Sequence, residues 1–260
     1  MPSRWEIMLA GPADVAIPLT APHAVVARWL DDPDPGRGAD GVPWSGHGDL
    51  VKKWACGPLH AVAPGPDGPG IALQVRLLDD TLADRLRAAT APGLAVRLGS
   101  HQYRVQGHAR RSAHASWAEL RRWPGSRAWQ VRFVTPACAR RRNRTSPLLA
   151  PDALARGLAG RWQQLDPATA PQVAWRGTGP VWVSDLDGHS EVQVLSRRLC
   201  RDGQPAMEEE IISGFTGRVR YVCDHGSDTE AATFHALLGF AGFAGAGLEA
   251  PVMGPSSGFP

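Results

Sequence analysis

Lysine is almost absent from this chain. Lys52 and Lys53 are the only two, and arginine supplies the rest of the 28 basic side chains. Cysteine is sparse as well: Cys56, Cys138, Cys200 and Cys223 are scattered, and no C-x-x-C occurs. That excludes the spacing of a zinc site or a disulfide framework and makes a reducing cytoplasm the expected setting. Neither a metal nor any other cofactor is expected. No apolar run approaches the roughly 18 residues a membrane span needs. The opening MPSRWEIMLA turns polar too quickly for a secretory signal.

What is present is a chain of 260 residues with ordinary charged and hydrophobic fractions. That length buries a core for one large or two small domains. The net charge of +3 hides an uneven distribution. Between His101 and Arg144 stand 11 arginines against one acid, Glu119, a local excess of +10, so the remainder carries −7. A basic block in an otherwise acidic chain fits a polyanion-binding face. An arginine-rich solvated surface is the plainer alternative.

Alternation predicts a first strand over Arg4 to Ala10, and apolar spacing predicts a helix over Pro22 to Leu30. Asp31 to Ser45 is dense in Pro, Gly and Asp and reads as a loop. A second strand follows around Trp54, a turn at Pro64 to Gly70, and a strong strand over Ile71 to Leu78. A short helix over Thr81 to Ala89 is capped by Asp79 or Asp80. Strands over Leu94 to Leu98 and Tyr103 to Gly107 close the set. The segment from Arg110 to Arg127 reads as a linker. The order then recurs: a strand over Trp129 to Thr135, a helix over Asp152 to Leu165 and a hairpin of Val181 to Leu186 with Val192 to Leu195. A strand over Gly217 to Cys223 and a helix over Thr229 to Phe243, capped by Asp228 or Thr229, complete it. The expected class is α+β: two tandem ferredoxin-like domains, each like an RNA-recognition motif, over 1–118 and 125–260.

Glycines crowd the exit of the last helix at Gly239, Gly242, Gly245, Gly247 and Gly254. A strand, a helix and a glycine-rich turn can bring backbone N–H groups against phosphates, although a small-residue helix packed on a sheet has the same composition. The stretch Gly214-Phe215-Thr216-Gly217-Arg218-Val219-Arg220-Tyr221, with the later Leu237-Leu238-Gly239-Phe240-Ala241-Gly242-Phe243-Ala244-Gly245-Ala246-Gly247, resembles the end of the CRISPR repeat-processing endoribonucleases. These are the sixth CRISPR-associated protein family, in the repeat-associated RNA-binding superfamily. Phe133-Val134-Thr135-Pro136, Ser146-Pro147-Leu148-Leu149-Ala150-Pro151 and Gly160-Arg161-Trp162 resemble the start of that family's second domain. Lys53-Trp54-Ala55-Cys56-Gly57-Pro58-Leu59 resembles a strand of its first.

The resemblance implies a metal-independent endoribonuclease that cuts CRISPR precursor RNA within its repeats to give guide RNAs. The ribose 2′-hydroxyl attacks, leaving 2′,3′-cyclic phosphate and 5′-hydroxyl ends. The alternative is a non-cleaving guide-RNA-binding subunit of an effector complex. It is favoured by Leu248-Glu249-Ala250-Pro251, which stands where the family carries basic and hydroxyl residues; Glu249 would repel phosphate and Pro251 lacks a backbone donor. The implied partner is the precursor-RNA repeat, with other CRISPR effector subunits as a further class. No membrane partner is expected, and the chain is a monomer or homodimer.

Such a reaction needs a base, an acid and a cation at the phosphate. His47, in a turn five residues before Lys52 and six before Lys53, is the first candidate, since a histidine shortly before a lysine is a pattern of some family members. Lys52 and Lys53 are the candidate phosphate cations. His23, in the first turn of the first helix, is the rival; some members carry a tyrosine in this region and this chain does not. His225 is a candidate RNA contact, and His101, His108 and His114 read as RNA-facing surface. His60, His189 and His235 read as structural or solvent-exposed. Candidate RNA-binding residues are Arg110, Arg111, Arg121, Arg122, Arg140, Arg141, Arg142, Arg144, Arg218 and Arg220, with Gly245 and Gly247 in the glycine loop. Trp54 and Trp123 are candidate base-stacking platforms.

Overall fold

The computed structural model describes residues 1–18, 20–31, 52–65, 68–141, 144–147, 150–175, 179–201, 204–244 and 248–249. Contacts divide the chain into two compact units, the first built mainly on Met1–Leu120 and the second on Arg121–Trp162 and Ala170–Gly242. Among the described residues no helix is long and apolar enough to cross a membrane.

In the first unit the strand β1 (Ser3–Ala10) alternates strictly, burying Ser3, Trp5, Ile7 and Leu9. It is followed by α1 (Thr20–Leu30), β2 (Trp54–Gly65) and β3 (Gly68–Leu77). A 3₁₀ turn, Asp80–Leu82, leads into α2 (Ala83–Ala89), and β4 (Ala95–Leu98) and β5 (His101–His114) form a hairpin. The sheet order is β2-β3-β1-β5-β4. Without its edge strand β4, this is the βαββαβ ferredoxin-like arrangement. Val25, Val26 and Leu30 of α1 and Leu86 of α2 belong to the same buried cluster as Ile7, Leu9, Leu73, Val75 and Leu77.

Asp79, not Asp80, caps the second helical segment: its Oδ1 accepts from the Thr81 N–H at 3.1 Å and the Thr81 hydroxyl at 2.8 Å. The Lys53 ammonium donates to its other oxygen at 2.8 Å. Partial burial disfavours the carboxylate, but the Lys53 and Thr81 hydrogen bonds prevail and hold its pKa down to about 2. A depressed carboxyl adds stability that is complete above its unfolded pKa, near 4, and is lost as pH falls through the folded value. Lys53 is 59% exposed, so solvent screens the pair. Asp79→Asn is expected to cost about 1 kcal/mol at pH 7, with little cost near pH 2. Urea melts of both proteins across that range check it; a cost that does not shrink with acidification would remove the carboxylate from the account.

The chain does not leave the sheet at Gly107. β5 runs on to His114, so Arg110 and Arg111 lie in a strand, not in a linker. Gly107 adopts φ +64°. The register against β1 shifts there, with Met8 opposite Gln106 but Glu6 opposite Arg110. The glycine marks a bulge, not an end. A short helix α3 (Trp117–Leu120) follows, closed by a reciprocal box between Ser116 and Glu119.

In the second unit β6 (Ala128–Ala137) buries Trp129, Val131 and Phe133 and exposes Gln130 and Arg132, as its alternation predicts. A small separate hairpin, β7 (Ala139–Arg141) with β8 (Arg144–Ser146), precedes α4 (Pro151–Leu165). α4 buries Leu154, Leu158 and Trp162. Two long strands follow, β9 (Trp182–Arg201) and β10 (Gln204–Val222), then α5 (Asp228–Ala244) and a two-residue β11 (Leu248–Glu249). The order β11-β6-β10-β9 is again ferredoxin-like. The core is aromatic: Phe234 of α5 meets Trp129 at 5.2 Å and Tyr221 at 5.4 Å, and Trp162 meets Phe240 at 5.1 Å.

Two expectations change here. The hairpin between Val181 and Leu195 is one continuous strand, whose partner is β10. Gly188 lies opposite Gly217 in that ladder, and each α-carbon occupies the space a Cβ on the other would need. The cap of α5 is Ser227, not Asp228 or Thr229. Its hydroxyl accepts from the Glu230 N–H, and its own N–H and hydroxyl donate to the Glu230 carboxylate at 2.8 and 2.9 Å. The last strand is short: Leu248 and Glu249 pair with Phe133 and Arg132 of β6.

Candidate active site and nucleic-acid surface

α1 and the start of β2 bring two of the four candidate catalytic residues together. His23 sits in the first turn of α1, and Lys52 is 29 positions later, just before β2. Their Nε2 and Nζ atoms are 3.3 Å apart. An ammonium has only donors, so a Lys52 ammonium donating in this contact requires Nε2 as the acceptor, which is the Nδ1–H tautomer of the ring. Trp54, two residues on, lies beside both. The Lys52 ammonium stands 4.6 Å from the centre of its ring, and the His23 ring centroid is 5.0 Å away at a 45° tilt.

Lys53 turns the other way, as successive residues entering a strand must, and is committed to Asp79. Of the two lysines, Lys52 is the one beside a histidine. His47 and the rest of residues 32–51 lie outside the described residues.

The Trp54 indole N–H donates to Asp31 Oδ1 at 2.7 Å, at the end of α1. That end is closed from α2: the Arg85 guanidinium donates to the Trp29 carbonyl at 3.0 Å and to the Asp31 carbonyl. Trp54 is 3% exposed, so it is not a base-stacking platform; its ring packs in the core of the first unit. Trp123 is half-buried and donates to the Ser126 carbonyl at 2.7 Å. Sequence reading missed the Asp31–Trp54 link. An indole N–H that must find a partner when buried was the available signal.

Two residues after Trp54, burial pushes the pKa of the Cys56 thiol up to about 12 although Arg76 pulls the other way. His235 is buried and neutral, its pKa lowered by burial, with its Nδ1 receiving the Trp129 indole N–H at 3.2 Å. His189 is exposed and 2.9 Å from Glu191. His225 is exposed in the turn before α5, and His108 and His114 are exposed on β5, whereas His101 is half-buried. A cleft of about 440 Å³ lies at the β4 edge, lined by Arg28, Ala95, Val96, Arg97, Ser100 and Gln102; none of the candidate residues lines it.

The arginines divide. Arg110 is exposed but holds Glu6 at 2.7 Å, and the Arg111 guanidinium stands 6.0 Å from the Trp5 ring centre. Arg121 and Arg122 are exposed after α3. Arg140 and Arg141 lie on β7 and Arg144 on β8, where Arg141 and Arg144 are cross-strand neighbours. Arg218 and Arg220 are exposed on one face of β10. In the ladder Arg218 lies between Arg132 and Asp187, and Arg220 between Gln130 and Asp185, so this face mixes both signs. Arg142, Gly245 and Gly247 lie outside the described residues.

Residues 131–254 match the model of a family described as CRISPR-associated endoribonuclease Cas6, the family that the sequence resembles. Among curated proteins none matches the chain. Among solved structures, the Cas6 (TTHA0078) product complex is similar over 95% of this chain and 94% of that chain, with a TM-score of 0.60 and 24% identity. The Cas6 (TTHB231) product complex is similar over 96% of this chain and 97% of that one, with a TM-score of 0.60 and 21% identity. Thermus thermophilus Cas6 (TTHB231) covers 95% and 94%, with a TM-score of 0.55 and 20% identity. At these identities the likeness establishes the fold: two tandem ferredoxin-like domains.

Proposed function

We propose that the whole chain is a CRISPR-associated endoribonuclease of the Cas6 family, cutting precursor RNA within each repeat. The observation that carries this reading is the His23–Lys52 contact, 3.3 Å long, in a chain whose residues 131–254 match that family's model. The matched family's description as an endoribonuclease, with product complexes among the similar structures, supports RNA as the substrate class.

In the proposed reaction His23 Nε2 accepts the proton of the 2′-hydroxyl beside the scissile bond. The 2′-oxygen bonds to phosphorus, and the phosphorus–5′-oxygen bond breaks. An acid protonates the departing 5′-oxygen; His47, the first sequence candidate for proton transfer, would take that role beside His23. The Lys52 ammonium balances the charge that gathers on the phosphate oxygens. The products are a 2′,3′-cyclic phosphate and a 5′-hydroxyl, and every step uses protein side chains, so chelators do not stop it. Arg121, Arg122, Arg140, Arg141, Arg142, Arg144, Arg218 and Arg220 would hold phosphates outside the cut, Arg110 and Arg111 contributing less because each has a partner within its own unit. Gly245 and Gly247 would approach the RNA backbone. The molecule would work in the cytoplasm as a monomer or homodimer, with other CRISPR effector subunits as further partners.

The test is end-labelled repeat RNA, incubated with the protein in EDTA beside a shuffled repeat of equal composition. One specific cut in the repeat and none in the shuffled RNA is the expected result. Tight, repeat-specific binding with no cut would instead assign the chain to guide-RNA binding without cleavage, for which Glu249, opposite Arg132 at the sheet edge, is the supporting observation. No preference for the repeat would overturn both.

A further inference from the structure

Three features of the first unit converge on one side chain. The Lys52 ammonium lies 4.6 Å from the centre of the Trp54 ring, the His23 ring is 5.0 Å from it, and the indole N–H is fixed to Asp31 at 2.7 Å. Trp54 is at the same time the first residue of β2, opposite Leu77 of β3, so its backbone is held by the sheet. A cation over an indole face is attracted by the ring's electron density, and tryptophan is the strongest such partner. Long lysine side chains have many rotamers, and this face selects one of them.

We propose that Trp54 is the positioning residue of the site. Its face holds Lys52 against His23 Nε2 while no phosphate is present, and the Asp31 carboxylate fixes the indole in that orientation. The consequence is a base kept covered. With Lys52 donating to Nε2, the imidazole stays neutral, with its proton on Nδ1, because an imidazolium would meet the ammonium donor to donor. An RNA phosphate offers the ammonium a stronger, charged acceptor. Lys52 moving onto it uncovers the Nε2 lone pair at the moment the 2′-hydroxyl is alongside. The cation that steadies the phosphate and the cover of the base are then the same group, and Trp54 sets its resting place.

This inference rests on the proposed cleavage reaction for its purpose, but its geometry is tested without RNA. Nitrogen-15 NMR of the histidine side chains reports which ring nitrogen carries the proton. In the RNA-free protein His23 is expected to show the Nδ1–H tautomer alone. Trp54→Phe keeps an aromatic face and should keep that signature. Trp54→Leu removes the face, and Lys52→Met removes the cation; each should turn the signal into a mixture of tautomers. On repeat RNA, Trp54→Leu should cut about tenfold more slowly with binding unchanged, whereas Trp54→Phe should stay near wild type. If Trp54→Leu unfolds, Asp31→Asn, which weakens the clamp at the surface, should give an intermediate mixture. An unchanged His23 signal in folded Trp54→Leu, Lys52→Met or Asp31→Asn overturns the proposal. The expected tautomer pattern in a protein that never cuts repeat RNA would sustain the arrangement and overturn only the cleavage reading.

Discussion

His23→Ala is expected to lower the single-turnover cleavage rate of repeat RNA by about 10²- to 10⁴-fold, the range for losing a general base. Binding should hardly change, because one neutral imidazole adds little to a contact dominated by arginine and phosphate. Lys52→Ala belongs to the same test and should cost about 10²- to 10³-fold, as the loss of one charge stabiliser does. The double variant should be little slower than the worse single one, because the two side chains act as a unit at 3.3 Å. Lys53→Ala separates the lysines. Its ammonium is bound to Asp79, so it should lose a little stability and almost no rate. Rates from saturating-enzyme time courses, with filter binding alongside, check all four. If His23→Ala cuts at the wild-type rate, the base lies elsewhere, and His47→Ala is the next variant.

Gly217→Val has the second large effect, and it falls on the fold. Gly217 has φ +147°, and a Cβ there would lie 2.3 Å from the Asp187 carbonyl oxygen and 2.6 Å from the Gly188 α-carbon. Both obstacles are backbone, so β9 and β10 must part or slip. A slip of one residue would turn Val219 and Tyr221, both fully buried, to the other face. We expect a loss of about 3 kcal/mol or more, read as the shift in urea midpoint. Arg218→Ala, one residue away and exposed, is the control and should change stability by less than about 0.5 kcal/mol. A folded Gly217→Val with the wild-type midpoint would mean that the two strands do not approach so closely.

That glycine also explains part of what the sequence revealed. Gly214-Phe215-Thr216-Gly217 carried much of the family resemblance, and here it has a structural reason. Gly214 lies against Pro136 and Ala137, and Gly217 against Gly188. The same chemistry misled the reading of β9. Asp187-Gly188 is a common turn dipeptide, yet the strand runs straight through it because the glycine is needed for a close cross-strand approach. Gly107 misled in the same way, since glycine marks bulges as well as ends. Where alternation was unbroken, in β1 and β6, element and buried face were both legible, because a half-buried strand leaves a period of two in its sequence.

The site was legible as residue types but not as a constellation. His23, Lys52 and Lys53 were all candidates, but spacing along the chain could not tell which lysine meets a histidine. That depends on α1 lying beside the start of β2, and on adjacent residues facing opposite ways. Trp54 was a candidate base-stacking platform, but it is buried. Its burial follows from pairing with Leu77 in the sheet, a contact 23 residues away.

The measurement that bears most directly on the central claim is cleavage of repeat RNA in EDTA, with and without a single 2′-deoxy sugar at the cut. The all-ribose RNA is expected to be cut once, leaving a 2′,3′-cyclic phosphate. The deoxy RNA should be bound equally well and left whole, since the attacking oxygen is missing. Cleavage of the deoxy RNA at the same position would contradict the account, because the 2′-hydroxyl would then not be the nucleophile and the His23–Lys52 pair would have no part in activating it.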